Sequence, residues 1–234
     1  PEMKAAIADF TEENREWLPD YALFMALKEE KYHHAPVYMW PEKDVRDRRP
    51  EALARVTEEL RGEARVIEEG QCGRTTVCDD PVDLYKNGLD YLMPCLDSHR
   101  PIDVVEVMLG TVQLKGRFNQ SAADITLGVE RILQAILHSG CGADGKAPRV
   151  LLISPIRIGR VEDSHLASTF FLGNNRERQA EMKPLYSALA ARYGVEFMAA
   201  EDHAATSPLD GIHIDVASHR TFALAVAEKL RQML

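Results

Sequence analysis

Serine is missing from the first part of this 234-residue chain, where the earliest is Ser98. Any chemistry that needs a serine hydroxyl must take it from later residues. Cysteine is sparse too: Cys72, Cys78, Cys95 and Cys141 have no paired CxxC spacing with clustered histidines, as a structural zinc site requires. No metal and no other cofactor is expected, and in a reducing compartment these cysteines read most simply as buried thiols. Basic charge is in deficit, with 28 Lys and Arg against 37 Asp and Glu. The deficit is shared, at 10 against 14 before Gly62 and 18 against 23 after it. A nucleic acid would want a basic face, so it is not an expected partner. No apolar run approaches the roughly 20 residues of a membrane span, and the N-terminus lacks the basic-then-apolar order of a signal peptide. No membrane partner is expected, and a cytoplasmic location is. Internal repeats and low-complexity segments are absent.

What is present is an ordinary globular composition, 45% hydrophobic and 28% charged, in a chain long enough to bury a substantial core without staples. Its style changes near residue 62. Upstream the pattern is helical: Ile7, Phe10, Trp17 and Leu18 suggest one amphipathic helix, and Pro19-Asp20 opens a second through Tyr21, Leu23, Phe24 and Leu27. Val37 to Trp40 is apolar but interrupted by Pro36 and Pro41, and Pro50 starts a further helix that Gly62 stops. Downstream, β-branched runs alternate with helical patterns, the signature of βαβ units and a parallel sheet. Strands are expected at Ala64 to Ile67, Ile102 to Leu109, Val150 to Ser154 and Val195 to Ala199. Helices are expected from about Ser121 to His138, Arg176 to Tyr193 and Val216 to Met233. Ser121 with Asp124 resembles a capping box, and Asp215 is a plausible N-cap. The expected organisation is a helical segment, residues 1–62, joined to an α/β domain, residues 63–234.

In an open parallel sheet, chemistry gathers in the loops beyond the carboxyl ends of the strands. Asp210 and His213 lie in such a loop, beside Gly211. Their spacing lets the carboxylate accept the Nδ1 proton of the imidazole, fixing the tautomer in which Nε2 can act as a general base. Taken alone, Asp-x-x-His reads more readily as a surface hydrogen bond or a solvated loop.

The surrounding motifs add context. Val66-Ile-Glu-Glu-Gly-Gln-Cys-Gly-Arg-Thr-Thr76, Asp79-Asp-Pro, Asn87-Gly-Leu-Asp-Tyr-Leu, Cys95-Leu-Asp-Ser-His-Arg-Pro101, Met108-Leu-Gly-Thr111, Arg149-Val-Leu-Leu-Ile-Ser-Pro155 and Asp210-Gly-Ile-His213 follow one another in order. Their order and spacing resemble those of the SGNH (GDSL-type) ester hydrolases related to bacterial aryl esterases and acyltransferases. The resemblance implies a three-layer, flavodoxin-like α/β fold with a parallel sheet and a small ester as substrate. It also implies Asp210 and His213 as the catalytic acid/base pair and Gly73 as a backbone donor to the oxyanion hole. Family members often assemble, so a homo-oligomer is a further expectation.

Two elements of that family pattern fail to match. The third block reads Gly110-Thr111-Val112-Gln113, so Val112 replaces the asparagine whose amide completes the oxyanion hole. Losing one such donor typically costs about 2.7 to 4 kcal/mol of transition-state stabilisation. The Gly-Asp-Ser that carries the nucleophile occurs nowhere, and Cys72 is the only tempting substitute. The resemblance therefore implies a descendant of an ester hydrolase with weak activity or none.

The segment before Gly62 carries a different resemblance. Phe10 to Glu29, Ala35-Pro-Val-Tyr-Met-Trp-Pro41 and Arg48-Arg-Pro-Glu-Ala-Leu53 look like a fragment of a 4-α-glucanotransferase (amylomaltase), without that family's catalytic carboxylates. Asp20, Glu42 and Asp44 accordingly read as solvated charges. The helical segment thus replaces, or through Val37 to Trp40 supplies, the first strand. The rival reading is a chimeric or engineered scaffold, non-catalytic, with the N-terminal helices serving oligomerisation; glucanotransferase chemistry is a poor third. Arg74 reads as a carboxylate binder or an internal hydrogen-bond donor, His33-His34 as a polar turn, and Trp40 as a packing residue.

Overall fold

A single strand buried on both faces organises the second unit of this protein. The computed structural model describes residues 39–53, 55, 66–162, 164–170 and 175–234. The chain divides into two compact units, Pro1–Glu69 and Gly70–Leu234. In the second unit the strands β1 (Val104–Val107), β2 (Arg149–Ser154) and β3 (Glu196–Ala199) form a parallel sheet in the order β1-β2-β3. Val105 stands opposite Val150, and Leu152 opposite Phe197. Successive side chains of a strand point to opposite faces, so a strand covered on both sides must be apolar throughout. β2 meets that condition: Val150, Leu151, Leu152 and Ile153 are all buried.

Helices supply the covering layers. Helix α1 (Gly88–His99) packs on α2 (Ala122–Leu137), and α2 packs on α3 (Asn175–Tyr193). Val150 and Leu152 share a core with Ile125, Val129 and Leu133 of α2 and Met182, Tyr186 and Leu189 of α3. Leu151 and Ile153 turn the other way, to Met198, Ala200 and the Phe222, Val226, Leu230 and Met233 face of α4 (Val216–Met233). Three layers result, helix on sheet on helix.

Local sequence accounts for the helix boundaries. Ser121 accepts from the Asp124 N–H at 3.1 Å while Asp124 accepts from the Ser121 N–H at 3.0 Å, the expected capping box. Asp215 caps α4 by accepting from the Ala217 N–H at 3.1 Å. Three of the four expected strands are present. The fourth is corrected in part: Val66 and Ile67 belong to no strand and are exposed, while Ala64 and Arg65 lie outside the described residues. On α4, Phe222 faces the sheet, while His219 and Leu224 are exposed.

The first unit is described only in part, and its expected helices before Met39 lie outside the described residues. Met39 and Trp40 belong to no strand, and Trp40 is buried. Glu42 and Asp44, read as solvated charges, are instead both bound by Arg55, at 2.8 and 3.1 Å. Such partly exposed pairs contribute about 0 to 1 kcal/mol.

A buried ion pair ties the segment before α1 to the loop after β1. Asp80, 3% exposed, meets the Arg117 guanidinium at 2.5 Å and accepts from the Val82 N–H at 2.9 Å. Burial opposes its ionisation most strongly, but the Arg117 and backbone hydrogen bonds outweigh that and hold the carboxyl below its ordinary value. A depressed acid contributes stability that is present above its unfolded pKa and lost as pH falls through its folded pKa. Asp80→Asn is expected to lower the unfolding free energy at pH 7 by about 3 kcal/mol. The gap from the parent, measured by urea denaturation, should close as pH drops below the ordinary aspartate range.

A second prediction concerns Gly128, inside α2, where a Cβ would collide with the Thr76 hydroxyl. Alanine is the better helix former by about 1 kcal/mol, yet Gly128→Ala should lower the melting temperature.

Candidate active site

The segment after β3 and its short 3-10 turn (Ala200–Asp202) returns on itself through an antiparallel bridge between Thr206 and Ile214. The Ser207 N–H donates to the His213 carbonyl at 2.7 Å and the Gly211 N–H to the Ser207 carbonyl at 2.8 Å. Gly211 adopts φ +72°, a left-handed conformation in which a Cβ would strike the Arg160 carbonyl, so glycine is required there. Ile212 points into the core and His213 points out. The chain then enters α4 through its Asp215 cap.

Asp210 holds this loop together. Its Oδ1 accepts from the Ile212 N–H at 2.8 Å and the His213 N–H at 2.9 Å, while its Oδ2 lies 2.7 Å from His213 Nδ1. A carboxylate only accepts, so Nδ1 carries the proton and Nε2 presents its lone pair. The imidazole side chain is 65% exposed, so that lone pair is open to solvent. Among the described residues no hydroxyl or thiol is hydrogen-bonded to Nε2. Burial pushes the Asp210 pKa up, but the Ile212 N–H, the His213 ring and the His213 N–H together hold it below the usual carboxylate value.

The second-block loop lies apart in sequence and is built on Thr75, which is fully buried. The Thr75 N–H donates to the Lys86 carbonyl at 2.9 Å, and a parallel bridge joins Thr75 to Asn87. Ahead of it, Gly73 turns the chain at φ +80°. Its N–H has no hydrogen-bond acceptor among the described residues. Arg74 is engaged internally, 4.3 Å over the Tyr91 ring and 3.4 Å from Gln71 Oε1, as its internal reading expects.

The third-block loop leaves β1 through Gly110 at φ +119°, where a Cβ would collide with the Tyr186 hydroxyl. That hydroxyl donates to the Leu109 carbonyl at 2.8 Å. Thr111–Leu114 form a 3-10 turn, with Val112 half-buried and Gln113 fully buried. Gln113 Nε2 donates to Thr76 Oγ1 at 2.5 Å, so this amide braces the second-block loop internally. The cysteines depart from the expectation of buried thiols: Cys141 is buried, Cys78 and Cys95 are half-buried, and Cys72 is exposed.

The structure thus joins Asp210 to His213 directly and carries Gly73 on a separate loop. Lys86, which touches the Cys72 carbonyl, was not singled out by sequence reasoning, because nothing in a lone lysine before Asn-Gly signals a contact 14 residues back. Replacing Asp210 by Asn should free the imidazole. In proton NMR, the downfield Nδ1 proton of His213 seen in the parent should be absent from Asp210→Asn.

The chain is similar to several esterases of known structure. The aryl esterase of M. smegmatis is 36% identical, superposes with a TM-score of 0.69, and is matched over 74% of this chain and 80% of its own. A carbohydrate acetylesterase from Sinorhizobium meliloti is 35% identical with a TM-score of 0.68, over 73% of this chain and 79% of its own. A carbohydrate acetylesterase family member from the same organism is 30% identical with a TM-score of 0.68, over 76% and 84%. The 4-alpha-glucanotransferase family model matches residues 1–73, beyond the change of style at residue 62 and up to Gly73 itself. No curated protein matches the chain. Among the described residues no helix is long and apolar enough to cross a membrane. By its strands, its Asp210–His213 loop and these relatives, the chain belongs to the SGNH-type family of aryl esterases and carbohydrate acetylesterases.

Proposed function

We propose that this protein hydrolyses small activated esters slowly, with water rather than a serine as the nucleophile and Asp210–His213 as the base. The observation that carries this reading is the preformed 2.7 Å Asp210–His213 contact with an exposed imidazole. His213 Nε2 takes a proton from water as the oxygen attacks the ester carbonyl. The carbonyl oxygen becomes an oxyanion, and the Gly73 N–H is the donor the loop offers it. When the C–O bond breaks, the imidazolium returns the proton to the leaving oxygen, giving an alcohol or phenol and a carboxylic acid. Asp210 stabilises the imidazolium throughout.

Without an activated hydroxyl no acyl-enzyme forms. Serine hydrolases stripped of a triad member keep about 1,000- to 10,000-fold catalysis over water through the oxyanion hole and binding; the missing asparagine donor, worth about 100- to 1,000-fold, puts the acceleration expected here well below that range. Aryl and acetyl esters are the favoured substrates, since those are the groups named for the similar enzymes.

p-Nitrophenyl acetate hydrolysis tests the reading. His213→Ala should abolish most of the protein-dependent rate, and Cys72→Ala should leave it unchanged. Because Asp210 is held below the ordinary aspartate range, its carboxylate should go on orienting the imidazole under mildly acidic conditions, and Asp210→Ala should lower the rate. A rate indifferent to His213→Ala would remove the catalytic reading and leave the non-catalytic scaffold. Specific labelling of any serine by a fluorophosphonate would contradict the water mechanism.

A further inference from the structure

We propose that Lys86 is a positioning residue for the Gly73 amide, orienting and polarising it as an oxyanion donor through the carbonyl of Cys72. The inference rests on the preceding reading, in which that amide receives the developing negative charge.

The Lys86 ammonium donates to the Cys72 carbonyl oxygen at 2.9 Å. That carbonyl and the Gly73 N–H belong to one peptide group, which is planar and trans, so the two point in opposite directions. Fixing the carbonyl toward Lys86 therefore fixes the N–H away from it, on the side left free for an acceptor. Left-handed glycine turns are otherwise soft. A cation on the carbonyl also draws electron density from the amide nitrogen, and coupled hydrogen bonds of this kind strengthen one another.

Lys86 is itself firmly placed. Its carbonyl accepts from the buried Thr75 N–H at 2.9 Å, and the Thr75 hydroxyl, which donates to the Cys78 carbonyl at 2.5 Å, lies 3.1 Å from it. Its side chain runs back over the turn: a Cβ built on Gly73 would lie 3.4 Å from Lys86 Cε and 3.9 Å from Nζ. The lysine stem therefore covers the side of Gly73 on which a Cβ would sit. With Val112 in place of the family's asparagine, this amide has lost a companion donor, so its orientation matters more here.

The test uses the full chain, uniformly 15N-labelled, as parent, Lys86→Met and Lys86→Arg. Lys86→Met should move the Gly73 amide proton upfield and weaken the shift that acetate induces there, with an apparent affinity about tenfold lower. Lys86→Arg, which keeps a donor cation, should restore most of both. Unchanged amides at Leu89 and Ile125 verify the fold. On p-nitrophenyl acetate, Lys86→Met should lower the His213-dependent kcat about tenfold with KM unchanged, the pattern of a contact made in the transition state. A Gly73 amide that does not move in Lys86→Met, or moves equally in Lys86→Arg, overturns the proposal. So does a moved amide with unaltered kcat. If the parent has no His213-dependent turnover, the proposed function fails and the amide measurements alone decide whether Lys86 positions the loop.

Discussion

Strand β2 is enclosed on both faces, and the rest of the second unit follows from that. A parallel strand cannot leave one face to water as an antiparallel one can, because its crossovers lay helices across the sheet. Val150 and Leu152 are buried against α2 and α3, Leu151 and Ile153 against α4. Truncating Leu151, Leu152 or Ile153 to alanine would cost about 2 to 5 kcal/mol. With the strands parallel, the carboxyl ends of β1, β2 and β3 come to one edge of the sheet, and the loops that leave them carry the polar residues.

Those loops are held by side-chain hydrogen bonds where no regular ladder exists. Asp210 serves two backbone N–H groups with one oxygen and the imidazole with the other, so the same carboxylate shapes the loop and sets the tautomer. Thr75 and Thr76 do comparable work in the second block: one gathers the Lys86 and Cys78 carbonyls, the other receives Gln113. The glycines at 110 and 128 are close-approach positions, where a methyl group would collide with Tyr186 or Thr76. The second unit thus has the scaffold of its aryl and acetyl esterase relatives, with Val112 in the third-block turn and no Gly-Asp-Ser in the sequence.

Much of this was legible in the chain. The runs around Val105, Leu152 and Phe197 became strands, and Ser121 and Asp215 became caps, because period and capping chemistry act over a few residues. Helix α1 is absent from the expected helices; it begins at Gly88 and contains Pro94, two residues that disfavour a helix locally. It forms because the Asn87 side chain accepts from the Leu89 N–H at its start and because Leu89, Leu92 and Leu96 pack against the core. Val66 and Ile67 went the other way: β-branched and apolar, they lie outside any strand, since strand formation depends on a pairing neighbour and not on propensity alone.

The sequence by itself determined the α/β alternation, the family and the pairing of Asp210 with His213, because each depends on residue order over short distances. Tertiary structure decided which polar groups meet across the chain: Arg117 with Asp80, Gln113 with Thr76, Lys86 with the Cys72 carbonyl. Contacts of that kind leave no local period or motif, since their energy depends on burial and geometry that exist only once the helices and sheet have packed.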